Sequence, residues 1–193
     1  MKIFLKIVVL VMALGAINFG SVFAEQVKDS PVGKTFYTRV NIWYENPQFI
    51  YSTNYHKGSI IPAGTKVTIK NIEVPSSVEF VIDKNPMVFK INRISMYTKV
   101  TLKEMVGRYF SPTNILEEDA FTKLTDDEKT NIKKGKIAVG MSKAAVIMAY
   151  GYPPTHRTPD LSTDAWTYWR AKISMFCVTF EKDKVVGVGQ EEK

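Results

Sequence analysis

The residues of this chain best suited to chemistry are two histidines, one cysteine and a few clustered acids. His56 and His156 lie in different halves of the sequence, each among turn-forming neighbours. Neither has a Ser, Cys or carboxylate at a spacing that would make it the base of a nucleophile. Both therefore read as solvated side chains. Cys177 falls in an apolar run beside Met175, where a buried, inert thiol is expected rather than an activated thiolate. Asp126, Asp127 and Glu128 open a helical pattern, and acids there oppose the positive end of the helix dipole. Asp160 and Asp164 lack the spacing of a calcium loop. No nucleophile elbow, phosphate loop or His-Glu-x-x-His helix occurs. The expectation is a non-enzymatic chain, with no catalytic residue, cofactor or metal ligand to nominate.

The first 24 residues read as a targeting segment. Lys2 and Lys6 supply a basic start, Ile7 to Ile17 an apolar stretch, and Val22 and Ala24 the small residues before a cleavage point. Cutting is expected between Ala24 and Glu25. The apolar stretch is too short for a comfortable span, so no stable membrane span is expected after its removal. No cysteine stands near this point to carry a lipid. With Cys177 alone, no intramolecular disulfide can form, and the fold must rest on core packing. The formal charge is +7, and removing Lys2 and Lys6 brings it to +5. The remaining lysines are scattered, which speaks for a solvated surface. Export argues against nucleic acid, while anionic cell-wall polymer stays compatible with the charge. The expected location is the periplasm or the exterior, peripheral to the outer membrane at most.

What must position any site is a chain of two textures. From residue 34 to 93 the apolar period is two. Phe36, Thr38, Val40, Ile42 and Tyr44 share one face, and Tyr37, Arg39, Asn41 and Trp43 share the other. Pro62-Ala63-Gly64 reads as a turn into a strand through Val67 and Ile69. Val78, Phe80 and Ile82 read as one arm of a hairpin, answered by Met87, Phe89 and Ile91. The expectation is a small β-barrel-like module. Tyr37 and Trp43, large aromatics on an otherwise polar face, are its candidate contact residues.

After Arg93 the period becomes helical. Thr101 with Glu104 forms a capping box, and 94–124 reads as a helical connector. Thr125 with Glu128 forms another, opening a helix that Gly135 can close. Ser142 caps a further helix, ended by Gly151 in a left-handed conformation and barred from continuing by Pro153 and Pro154. Three short-linked strands follow: Trp166 to Arg170, Ile173 to Glu181, and Lys184 to about Gly189. They are expected to form an antiparallel meander under the helices. Gly140, Met141, Ser142, Gly151, Pro153, Trp166 and Tyr168 each have a structural use here: turns, a cap and core filling. The fold class is thus α+β, with the β-rich module expected to pack apart from an α+β unit at 125–190.

Two resemblances add to this reading. Ile-Pro-Ala-Gly-Thr-Lys-Val, within 34–93, resembles bacterial Src-homology-3-like domains of exported proteins. Gly140-Met141-Ser142, Val146, Gly151-Tyr152-Pro153, Trp166-Thr167-Tyr168, Phe180 and Val185-Val186 together resemble the SmpA/OmlA (BamE-like) outer-membrane assembly family over about 125–189. The second resemblance implies two helices on a three-stranded sheet and a role in outer-membrane assembly. The chain departs from that family in lacking a lipidated cysteine at the mature start and in carrying a β-rich module ahead of the match. The function expected is an exported, non-catalytic interaction or scaffold module whose partner is an envelope protein. The alternative is a module that binds cell-wall or anionic polymer.

Overall fold

The computed structural model describes residues 30–171 and 174–190. The expected targeting segment and its Ala24–Glu25 junction lie outside the described residues. From Val32 onward the described residues form one compact unit.

The period-two stretch becomes seven strands: β1 (Thr35–Thr38), β2 (Ile42–Tyr44), β3 (Ile50–Tyr51), β4 (Ser59–Ile61), β5 (Lys66–Glu73), β6 (Ser77–Ile82) and β7 (Val88–Asn92). An eighth, β8 (Phe110–Ser111), follows the first helix, α1 (Leu102–Tyr109). Six of them form one open, half-barrel sheet in the order β3-β7-β6-β5-β1-β8, while β2 and β4 pair separately. The hairpin forms as the alternation requires, with Phe80 opposite Phe89 and Val78 opposite Ile91, all four buried. Met87 does not join it; it precedes the strand and is exposed.

Two expectations need correction here. The sheet is not a closed barrel, because β3 pairs only with β7, in parallel, and leaves an edge. Nor is 94–124 a mere connector. The capping box of Thr101 and Glu104 forms, and Leu102, Met105, Tyr109 and Phe110 enter the same core as Val40, Ile69, Phe80 and Ile91. The apolar stripe of α1 is what closes the open side of the half-barrel. The rest of that segment is a 3₁₀ turn (Ile115–Glu117) and the single helical turn α2 (Asp119–Thr122).

The C-terminal half contains α3 (Asp126–Lys134), α4 (Lys143–Tyr150) and the antiparallel sheet β9 (Ala165–Ala171), β10 (Ser174–Glu181) and β11 (Lys184–Gln190), ordered β11-β10-β9. Met141, Ala145, Val146, Ala149, Trp166, Tyr168, Phe176, Val178 and Phe180 make a second core beneath the helices. Glu128 ties this half together. Its carboxylate accepts from the amides of Thr125 (3.0 Å) and Ser142 (2.7 Å) and from the Lys184 ammonium (3.1 Å). Burial opposes its charge, but these donors outweigh burial and hold its pKa down at about 2. The acids at the start of α3 thus serve the helix end.

The two halves do not pack apart. Gly135 closes α3 at φ 60°, ψ 43° and lies against the β2–β4 pair; a Cβ there would stand 2.6 Å from the Trp43 ring and 2.8 Å from Ile60. Ile147 of α4 packs against both cores. The separation expected from the change of period is one of sheets rather than of bodies.

Candidate functional site: an aromatic cleft beside the junction

A bend at Arg39–Asn41 interrupts the run that alternation alone would make one strand, and it decides where the aromatic side chains go. Asn41, 1% exposed, holds the bend. Its Nδ2 donates to the carbonyls of Ile132 (2.7 Å) and Ala149 (3.1 Å), in the last turns of α3 and α4. Its Oδ1 accepts from the Ala63 amide at 2.9 Å, and its own amide donates to the Met148 carbonyl at 2.9 Å. Asn54, at φ 50°, does the complementary work. Its Nδ2 donates to the carbonyls of Asn41 (3.2 Å) and Tyr150 (2.7 Å), and its Oδ1 accepts from the Trp43 amide (3.2 Å). Helix-end carbonyls need such partners when buried, and two asparagines supply them.

Next to Asn54 the chain inserts His56 into the junction. Nδ1 lies 2.7 Å from the Trp169 carbonyl and Nε2 2.8 Å from the Tyr150 carbonyl. The ring stacks on Tyr150 at 3.5 Å and meets the edges of Trp43 and Tyr168 at 5.6 and 5.9 Å. A neutral imidazole donates to only one of the two carbonyls, whereas the cation would serve both. Burial decides the balance and pushes the pKa down to about 4. His156 packs likewise, its Nδ1 3.1 Å from the Tyr97 carbonyl and its ring between Tyr97 and Trp169. Neither histidine is the solvated side chain expected from its turn-rich surroundings. His56 lies against Tyr150 and Tyr168 of the C-terminal half, and His156 against Tyr97 and Trp169.

Outside this junction, β2, the Phe49–Tyr51 stretch and the Tyr55–Lys57 loop enclose an open cleft of about 430 Å³, which Ala171 of β9 also lines. Five aromatic residues line it: Trp43, Tyr44, Phe49, Tyr51 and Tyr55. Phe49 is 61% exposed and Tyr51 37%. Tyr44 is backed by Phe89 (5.3 Å, near-perpendicular), and Tyr55 stands between Tyr51 (5.9 Å) and Trp169 (6.1 Å). Burial raises the Tyr55 hydroxyl above its ordinary pKa. Glu45 and Lys57 form an ion pair of 2.9 Å at the rim, and Asn46 lies beside them. Such a surface can stack against flat apolar faces and hydrogen-bond at its edge. Among the described residues no group of three or more His, Cys, Asp or Glu is gathered as a metal site. Among them, too, no helix is long and apolar enough to cross a membrane.

The structure does not bring Tyr37 and Trp43 together. Tyr37 is half-buried in the large sheet, opposite Lys66 and Ser111. Trp43 is half-buried between His56, Tyr150 and the cleft. Met141, Trp166 and Tyr168 are in the second core, and the Tyr168 hydroxyl donates to the Gly151 carbonyl at 3.1 Å. The Ser142 hydroxyl caps α4 by accepting from the Ala145 amide. Gly140 turns at φ 90°, and Pro153 is buried behind the end of α4. Gly151 has the positive φ expected but not the left-handed helical conformation. At φ 82°, ψ −176° it leads straight out of the helix, because Tyr150 must aim its carbonyl at both Asn54 and His56. Cys177 is half-buried on β10 rather than fully enclosed.

Sequence reasoning passed over Phe49, Tyr51 and Tyr55. The signal was present in the density of aromatics from Trp43 to Tyr55, which falls where the alternation of apolar residues lapses. Asn41 and Asn54 carried no signal, since their roles depend on helix ends 91 to 108 residues away.

No protein-family model, curated protein or solved structure matches the chain.

Proposed function

We propose that this protein is an exported, non-catalytic binding module of the bacterial cell envelope, and that the aromatic cleft is its binding surface. The observation that carries the reading is the cleft itself: five aromatic side chains around about 430 Å³, two of them well exposed, on a wall braced from behind by Phe89 and Trp169. A volume in the range of ~300–1,000 Å³ with apolar walls and a few polar groups is what a ligand site requires. Aromatics held in place lose little side-chain entropy when they are covered. The basic start, short apolar stretch and Ala24–Glu25 junction support export. The resemblance of 125–189 to the SmpA/OmlA family supports a place in outer-membrane assembly, with an envelope protein as partner. The cleft favours the second reading, a cell-wall polymer as ligand, because it is a groove rather than a flat face.

Two measurements test the proposal. The protein recovered from cells should begin at Glu25 by mass; a start at Met1 refutes export with cleavage. Purified protein should pellet with isolated envelopes, and a Phe49→Ala/Tyr51→Ala double variant of unchanged thermal stability should stay in the supernatant. Equal pelleting of both refutes the cleft as the binding surface.

A further inference from the structure

We infer that the cleft takes the pyranose rings of a polysaccharide chain. The inference rests on the cleft being the binding surface and adds the chemistry of what lies in it. Three observations select this class.

The first is the kind of surface. A pyranose ring offers a flat face of C–H groups, weakly positive, and an edge of hydroxyl groups. The face of an aromatic ring is electron-rich and attracts such C–H groups when they lie flat on it. Tyr51 and Phe49 are exposed enough to offer their rings, and Tyr44 and Tyr55 are each buttressed on one side by another ring.

The second is the rim. Glu45 supplies an acceptor, Lys57 a donor and Asn46 both, and each sugar hydroxyl is at once donor and acceptor. Glu45 and Lys57 are 60% and 65% exposed, so their mutual ion pair is weak and can be exchanged for bonds to hydroxyls at little cost.

The third favours a sugar over a peptide. An extended peptide gains most of its affinity from main-chain hydrogen bonds to a free strand edge. Around this cleft several of those groups are already used, although β3 keeps one free edge. The Trp43 amide donates to Asn54 Oδ1, and the Tyr51 carbonyl accepts from the Asn54 amide at 2.8 Å. The Phe49 amide donates to the Asn46 carbonyl and the Lys57 amide to the Tyr55 carbonyl, both at 3.0 Å. Rings and side chains thus make up most of what the cleft offers a ligand, which is how sugars are held.

The test is titration of the full-length mature protein with cellotetraose and, separately, chitotetraose, followed by amide and indole NMR. Both share the pyranose face, and only the second carries acetamido groups. Binding of either, with shifts confined to Trp43 and residues 44–57, supports the inference. Tighter binding of chitotetraose identifies an amino-sugar polymer of the cell-wall type, and tighter binding of cellotetraose a plain glycan. Phe49→Ala and Tyr51→Ala should each weaken binding by about tenfold, since each removes one stacking face. Both positions are exposed, so the variants should keep the parent melting temperature. No shift with either sugar at millimolar concentration overturns the inference, as do shifts outside the cleft. Pelleting with envelopes that depends on Phe49 and Tyr51, yet is abolished by protease and unaffected by glycan-digesting enzymes, also overturns it. In that last case the binding module stands and its partner is a protein.

Discussion

Replacing Asn41 by Leu tests whether one buried amide holds the halves of this protein together. Leucine has the same branched heavy-atom skeleton as asparagine, so at this 1% exposed position the change removes hydrogen bonds while keeping the side chain's shape, its methyl groups adding some bulk. Three are lost: to the carbonyls of Ile132 and Ala149, and from the amide of Ala63. The Ile132 carbonyl keeps a partner in the Gly135 amide at 3.0 Å. The Ala63 amide faces an apolar side chain, which costs about 1–3 kcal/mol for a buried donor left unmade. The two bonds to carbonyls contribute about 0.5–1.5 kcal/mol each. The expected loss is about 4 kcal/mol within a span of about 2–6 kcal/mol. Urea denaturation followed by tryptophan fluorescence and by far-ultraviolet circular dichroism measures it. With a slope of about 2 kcal/mol per molar urea, the midpoint should fall by about 2 M. Leu at the exposed position Asn71 on β5 is the control and should change stability by less than about 0.5 kcal/mol. A loss below about 1 kcal/mol for Asn41→Leu would refute the assignment of the junction to this amide.

Gly151→Val should cost about 2–4 kcal/mol. Its φ of 82° with ψ of −176° is a region only glycine enters freely, and a Cβ there would strike Asn54 Nδ2, which serves two carbonyls; an unchanged denaturation midpoint rules this out. His56 makes the fold sensitive to acid. Its folded pKa lies below the usual 6.5, near 4, so the unfolded chain takes up the proton first as pH falls. The stability it contributes is full above 6.5 and is lost between 6.5 and about 4, by about 3 kcal/mol. His56→Phe should flatten unfolding free energy over that window, and an unaltered slope would show that other groups set it. Glu128→Gln should cost about 2 kcal/mol at pH 7, where the carboxylate serves the Thr125 and Ser142 amides. That difference should shrink as pH falls from 4.5 toward 2, the range over which the native carboxylate loses its advantage; a pH-independent difference would sink the assignment.

What could be read from the sequence and what could not follows the range of the interactions involved. Capping boxes at Thr101 and Thr125, the Ser142 cap and the Gly135 helix end are short-range, and all form at the residues where the pattern stands. The 78–91 hairpin is likewise local, and its apolar alternation fixes its register. Alternation does not reveal where a run breaks. From Phe36 to Tyr44 it continues unbroken, yet the chain bends at Asn41, because that side chain is used by two helix ends. A period shift also cannot tell a separate body from a lid. The stripe of Leu102, Met105 and Tyr109 looks the same whether it covers its own module or a later one.

The cleft arises from that same bend. Had the strand run straight, Tyr37, Arg39, Asn41 and Trp43 would share a face, with Trp43 in line with Tyr37. Turning at Asn41 moves β2 into a small sheet of its own against α3, swings Trp43 over His56 and Tyr150, and leaves Tyr44 on the hairpin at Phe89. The stretch from Phe49 to Lys57 then has to return across β2, and its aromatics form the opposite wall. Asn54 lies in that returning stretch and donates to the carbonyl of Asn41 itself. Loss of either asparagine should therefore act on the cleft as well as on the junction. Asn54→Ala removes the bonds to Trp43, Asn41 and Tyr150 while leaving every residue that lines the cleft in place. If the two walls are positioned through these amides, this variant at a temperature where it remains folded should lose envelope pelleting together with its stability. Full pelleting by a folded Asn54→Ala protein would show that the cleft walls stand without the junction, and that the bend serves stability alone.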